Sequence, residues 1–225
     1  MYKVIGIDEA GKGPVIGSMF IAFSIINLAN GLKELNSYQE KLKTIGVKDS
    51  KKLTPIKRNY IYNQLKDHMD IKYAQLTPTL IDLNNSKGGK LNELEIEAII
   101  NILETEKPNL IIIDALTSRP DKFGDEILKR LSFECKIISE NKADDKYEIV
   151  GAASIIAKEL REQEIAQIKE NIKHDCGSGY PSDPKTIKFL KENYNNDEFH
   201  FIFRKSWDTY KKLKNKDNQK SLNDF

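Results

Sequence analysis

Two adjacent carboxylates, Asp8 and Glu9, close the apolar run "VIGI" and are followed at once by a glycine-rich turn, "AGKGP", with Lys12 at its centre. A carboxylate carried to the end of a buried strand is costly unless a cation, a hydrogen-bond network or a metal ion meets it. The pattern recurs far along the chain, where Asp114 ends a second apolar run, "NLIII", residues 109–113. A third acidic pair, Asp144 and Asp145 in "ENKADDKYEIV", stands just before the longest helical pattern of the sequence. Converging carboxylates, without a cysteine or a well-placed histidine, form a donor set for a hard cation such as Mg²⁺ or Mn²⁺ and not for zinc. Two such ions serve phosphoryl transfer, one activating water and the other stabilising the leaving oxygen. Spacing alone leaves a second reading open: Asp side chains also bond nearby backbone amides, so the same acids fit structural turns in a binding module.

The elements that must position these acids alternate between strand and helix. Residues 2–8 and 15–26 read as strands joined by a short link, hence as an antiparallel pair. A third strand is expected over 71–78 and another over 135–139, while "NLIIIDAL", 109–116, suits a strand buried on both faces of an α/β protein. Thr54 followed by Pro55 predicts an N-cap and first helical position for a helix reaching Lys66, with Lys57 and Arg58 turned to solvent. "SKGGK", 86–90, is a break, after which Leu94, Ala98, Ile99, Ile102 and Leu103 recur at helical spacing within residues 91–106. A helix near 121–131 and the long pattern "EIVGAASIIAKELREQEIAQIKENI" continue the alternation. In open α/β sheets sites form at the carboxyl ends of parallel strands, which is where Asp8 and Asp114 fall.

Composition sets the class. A chain of 225 residues, 39% hydrophobic and 31% charged, can bury one sizeable core and is not disordered throughout. Its formal net charge of +2 means that any affinity for nucleic acid must come from local patches and bound cations. Cys135 and Cys176 are too few and too far apart for a disulfide framework or a zinc knuckle, so both are expected as free thiols. The first segment lacks the pattern of a signal peptide, and no apolar stretch is long enough for a bilayer. The expectation is a monomeric cytoplasmic protein with no membrane attachment. His68, His174 and His200 are scattered and read as structural or surface residues.

The blocks "GIDEAGKGPVIG", "VKDSKKLT", "IIIDAL", "KADDKYEIVGAASIIAK", "GSGYPSDP" and "RKSW" occur in the order found in type 2 ribonuclease H, and the chain most resembles its archaeal branch. The resemblance implies an α/β protein of RNase H-like fold: a mixed five-stranded sheet flanked by helices, with a helical C-terminal part. It divides the chain into a catalytic core, 1–175, a helical part completing the substrate cleft, 176–212, and a polar tail, 213–225. It implies a four-carboxylate, Mg²⁺- or Mn²⁺-dependent site at Asp8, Glu9, Asp114 and Asp144, the family pattern of Lys, small residue, Asp, any residue, Lys selecting Asp144 over Asp145. The implied reaction is hydrolysis of the phosphodiester 5′ of a ribonucleotide, in RNA/DNA hybrids or at a single ribonucleotide in duplex DNA, leaving 3′-hydroxyl and 5′-phosphate ends. By the same resemblance Gly11, Lys12, Gly13 and Tyr180 read the ribonucleotide, and Lys51, Ser154 and Lys158 contact phosphates. Two departures stand out: Lys12 replaces the usual Arg and loses its planar fork, and Ser18 stands where proline is common. Other nucleases of this fold and non-catalytic nucleic-acid binders are the competing classes. At the C-terminus Gln219, Leu222 and Phe225 resemble the short peptide with which replication and repair proteins dock on the sliding clamp, PCNA, although Asp224 stands where a first aromatic is common.

Overall fold

The computed structural model describes residues 1–47, 53–115 and 117–223. Five strands form: β1 (Tyr2–Ala10), β2 (Met19–Leu28), β3 (Asp70–Leu76), β4 (Leu110–Asp114) and β5 (Lys136–Glu140). They make one sheet in the order β3-β2-β1-β4-β5. β1 runs antiparallel to β2 and parallel to β4, and β4 runs parallel to β5, so the sheet is mixed as expected. The apolar runs land in its centre. Val4, Ile5, Ile111, Ile112 and Ile113 are fully buried, as continuous hydrophobic strands covered on both faces must be.

Nine helices are present among the described residues: α1 (Leu35–Ile45), α2 (Pro55–Lys66), α3 (Pro78–Ser86), α4 (Leu91–Glu106), α5 (Pro120–Arg130), α6 (Ala143–Lys146), α7 (Glu148–Ile172), α8 (Pro184–Asn193) and α9 (Asp208–Asn223). Short 3-10 turns occupy Gly31–Glu34 and Asp197–Ile202. Thr54 caps α2 as its sequence predicts, accepting the Lys57 amide at 3.3 Å. α7 approaches β1 closely enough that a Cβ on Gly6 would lie 2.4 Å from the Ile149 carbonyl oxygen. Only glycine permits that approach. The Ser24 hydroxyl fastens it by donating to the same carbonyl at 2.6 Å. No described helix is long and apolar enough to cross a membrane.

Three expectations need correction. Residues 15–18 do not belong to the second strand: Ile16 makes an isolated bridge to Phe203 and the Ser18 amide is bonded to Glu164, so their partners are not those of a sheet strand. The third strand stops at Leu76, because Thr77 accepts the Leu80 amide at 3.2 Å and starts α3 at Pro78. Arg58 does not face solvent; it is buried, with Nε 3.6 Å from a Glu159 carboxylate oxygen.

The chain forms two compact units. One comprises Met1–Ala10, Phe20–Ala74 and Glu95–Leu160; the other comprises Gly11–Met19, Gln75–Leu94 and Arg161–Phe225. The first has a core in which Val4, Ile112, Ile149, Ala152 and Ile156 pack together. The second is built around Ile16, Phe189, Leu190, Phe199 and Phe203. The segment expected as a C-terminal part, 176–212, falls inside this second unit, and α9 continues as helix to Asn223 through most of the expected tail.

Candidate active site

In the first unit the strand register brings the acids to one level. Ile7 pairs with Ile113 in parallel register, and the residues that follow them are Asp8 and Asp114. Asp8 is 5% exposed. Burial, and then the adjacent Glu9 carboxylate, push its pKa well above the ordinary carboxylate range, with Asp114 adding to the effect; hydrogen bonds from Ser154 and from the Glu9 amide oppose it. That amide donates to Asp8 Oδ1 at 2.7 Å. Asp114 is half-buried and accepts the Ala143 amide on Oδ1 at 2.9 Å. This bond ties the start of α6, and therefore the half-buried Asp144 one residue later, to the end of β4; Asp145 is exposed. Glu140, a further acid at the end of β5, is committed elsewhere, to Lys146 and to the Tyr147 hydroxyl at 3.2 Å.

Ser154 and Lys158 lie one turn apart on α7, with Lys158 Nζ donating to Ser154 Oγ at 3.0 Å. Ser154 is buried, and its hydroxyl stands between the lysine and Asp8. Lys51, the other expected phosphate contact, lies outside the described residues.

Does the acid cluster fit a divalent cation? The donors are all carboxylate oxygens, and an acid whose pKa is raised by burial and by two neighbouring carboxylates is a group that a hard cation would relieve. Asp8 and Glu9, as successive strand residues, project to opposite sides of β1. Among the described residues no three acids, histidines or cysteines are gathered closely enough to hold one ion. The chemistry of the donor set therefore fits, while the side chains stand apart.

The second unit contains the glycine turn and the "GSGYP" loop. The Val15 amide donates to the Gly179 carbonyl at 2.8 Å. A Cβ on Gly13 would lie 3.7 Å from the Tyr180 ring, which is 37% exposed. The loop is built from its own polar groups: Asp183 accepts the Ser178 amide at 2.7 Å and caps α8, and buried Thr186 accepts the Gly179 amide at 2.9 Å. Lys12 points its amine to Asn92 Oδ1 at 3.2 Å. Ser18, where proline is common, has a use for both groups that proline lacks. Its amide donates to Glu164 at 2.7 Å, its hydroxyl bonds the other oxygen of the same carboxylate, and Gln75 donates to that hydroxyl at 3.1 Å. His174, exposed to solvent, packs edge-on against Phe199. Both cysteines are free, and burial raises their pKa values. Of the clamp-like positions, Gln219 and Leu222 lie on α9, and Phe225 is outside the described residues.

Two buried cations escaped the sequence reading, Arg161 and Arg204. Arg204 was visible only as the first letter of "RKSW". Arg161 sits inside an amphipathic helical pattern that gives no sign of burial.

The sequence model of the family Ribonuclease HII matches residues 5–210. The chain belongs to the ribonuclease HII family. It is 43% identical over 218 residues to the Ribonuclease HII of Thermococcus onnurineus, spanning 95% of this chain and 91% of the relative. The crystal structure of the ribonuclease H2 from Pyrococcus horikoshii OT3 superposes with a TM-score of 0.83 at 40% identity, covering 95% of this chain and 98% of that one. A ribonuclease HII of Archaeoglobus fulgidus, solved in complex with PCNA, matches with a TM-score of 0.74 at 34% identity over 84% of this chain and 85% of its own. This ribonuclease HII therefore has ribonuclease H endonuclease activity, and ribonucleases H generally use divalent metal ions.

Proposed function

We propose that this ribonuclease HII hydrolyses the phosphodiester on the 5′ side of a ribonucleotide, in RNA/DNA hybrids and at single ribonucleotides within duplex DNA, with a pair of Mg²⁺ or Mn²⁺ ions and with 3′-hydroxyl and 5′-phosphate products. The observation that carries the reading is the buried Asp8 carboxylate, raised in pKa between Glu9 and Asp114 at the ends of neighbouring parallel strands. Asp8, Glu9, Asp114 and Asp144 would hold the ions. Bound there, divalent cations supply the positive charge that activates a water and stabilises the leaving oxygen.

The protein's own groups orient and select. The Glu9 amide and the Ser154 hydroxyl fix Asp8, and Lys158 in turn orients Ser154. The bond from Ala143 to Asp114 sets where α6 begins and so where Asp144 is presented. Lys158 and Lys51 would contact phosphates, which positions a duplex without reading its sequence. Discrimination of RNA from DNA rests on the 2′-hydroxyl, a donor and acceptor that only the ribonucleotide offers. The turn Gly11–Lys12–Gly13 and Tyr180 would read it. Because Lys12 lacks the fork of an arginine, the turn's backbone carries that contact. The amine of Lys12, directed to Asn92, contributes charge.

The C-terminal peptide containing Gln219, Leu222 and Phe225 is proposed to dock on a sliding clamp, a reading supported by the Archaeoglobus relative's complex with PCNA. The decisive experiment for the reaction is incubation of a DNA duplex bearing one ribonucleotide with protein and Mg²⁺ or Mn²⁺. A single cut 5′ of the ribonucleotide, with the stated ends, supports the proposal. An uncut duplex, or a cut on the 3′ side, contradicts it.

A further inference from the structure

The second unit buries two guanidinium groups beneath the glycine turn. Arg161 and Arg204 are 6% and 0% exposed. Arg204 donates from Nε to the Gly17 carbonyl at 2.8 Å and from Nη1 to the Lys12 carbonyl at 3.1 Å, so it holds both ends of the turn, and its plane lies over Trp207 at 4.9 Å. Arg161 donates from Nη2 to the Ser178 carbonyl at 2.5 Å and stacks on the Tyr180 ring at 4.5 Å. It also fills the space beside the turn: a Cβ on Gly11 would lie 3.0 Å from its Cδ, and one on Gly179 would lie 3.2 Å from its Nη2.

A merely structural buried arginine is expected to have its donors met. Here Nε of Arg161 and Nη2 of Arg204 are buried with no hydrogen-bond partner among the described residues. Burial pushes the pKa of Arg161 down, and burial together with Arg161 pushes that of Arg204 down to about 10. Two desolvated cations are thus kept side by side at a cost in stability. What they have in common is the turn and the loop that face each other across Gly13 and Tyr180.

We propose that Arg161 is a positioning residue for ribonucleotide recognition: stacked on Tyr180 and bonded to Ser178, it sets the ring over the glycine turn that Arg204 fixes from the other side. The proposal rests on the reading of the turn and Tyr180 given above. Preorganisation of this kind spares the substrate the ordering of the ring on binding.

The test is a double-mutant cycle between Arg161 and Tyr180, read as kcat and KM on two substrates: a DNA duplex with one ribonucleotide and a continuous RNA/DNA hybrid. Arg161→Lys keeps the charge and loses the stacked plane. Arg161→Gln removes both the buried charge and the stacked guanidinium and leaves a neutral amide, and both variants are confirmed as folded by circular dichroism before they are assayed. Each variant should lose about tenfold more kcat/KM on the single-ribonucleotide duplex than on the hybrid, and in a Tyr180→Ala background its further loss should fall to about twofold or less, because interacting sites are non-additive. Equal losses on both substrates, or losses that multiply with Tyr180→Ala, would overturn the proposal and leave Arg161 a structural residue. Absence of cleavage of either substrate by the unmutated protein would instead overturn the proposed reaction, and this inference with it.

Discussion

At the scale of single residues, the buried acid and the two glycines of the turn make different demands. Asp8 has a native pKa raised above its ordinary 3.8. The native state then binds this proton more tightly than the unfolded one, so the contribution to stability is complete below about pH 4 and is lost as pH rises through the raised native value. In metal-free buffer Asp8→Asn should remove this dependence and melt at a higher temperature near neutral pH. A pH-independent difference between the two proteins' melting curves would contradict the raised pKa. The glycines separate on geometry. Gly11 has φ +90° and a Cβ there would stand 2.9 Å from the Ser18 carbonyl oxygen, whereas a Cβ on Gly13 would make only ordinary contact with Tyr180. Gly11→Ala should therefore cost about 1–3 kcal/mol in thermal unfolding. Gly13→Ala should stay within about 0.5 kcal/mol yet lose cleavage of the single-ribonucleotide duplex. Unimpaired cleavage by Gly13→Ala would show that substrate does not approach the turn there.

Elements position these residues, and their legibility varied with how local their causes are. The central strands were plain because β1 and β4 are apolar on both faces, and α2 was plain because Thr54 and Pro55 announce it. The same device, Thr77 before Pro78, starts α3; it was absorbed into an overlong third strand because Ile71, Tyr73 and Leu76 suggest β-structure up to it. Residues 15–18 misled for a related reason: Val15 and Ile16 are strand formers, but their pairing is decided by Gly179 and Phe203, far away in sequence. Of the candidate site, the acids could be read from their places at strand ends, while the choice of Asp144 and the role proposed for Tyr180 came by resemblance. Arg161, in the charged helix α7, and Arg204, in the link before α9, could not be read as buried, since arginine ordinarily faces water. The loop that carries Tyr180 depends on the start of α8. Asp183 accepts both the Ser178 amide and the Lys185 amide, at 2.7 and 2.9 Å. Asp183→Ala should cost about 1–2 kcal/mol in unfolding, and Asp183→Asn much less, because Asn also caps helices well. Equal costs for the two would mean that the cap is not what the residue supplies.

At the scale of the whole molecule, each unit carries one half of the proposed chemistry in its own residues: the acids in the first, the turn, the loop and the two arginines in the second. The chain adds a C-terminal helix that extends to Asn223. Deleting residues 219–225 should abolish binding to an immobilised sliding clamp and leave clamp-free cleavage within about twofold, since tethering alters local concentration and not the reacting groups. Clamp binding by the truncated chain would refute the docking role. The central claim is that the carboxylates at the ends of β1 and β4, with the acid that follows Ala143, form the reaction centre. It is tested most directly by cleavage of the single-ribonucleotide duplex by Asp114→Asn and Asp145→Asn, each confirmed as folded by circular dichroism. Asp114→Asn keeps the size of the side chain and removes its charge, so its rate should fall by at least about a hundredfold, while Asp145→Asn cleaves like the unmutated protein. Near-normal cleavage by Asp114→Asn, or its collapse in Asp145→Asn, would contradict the account.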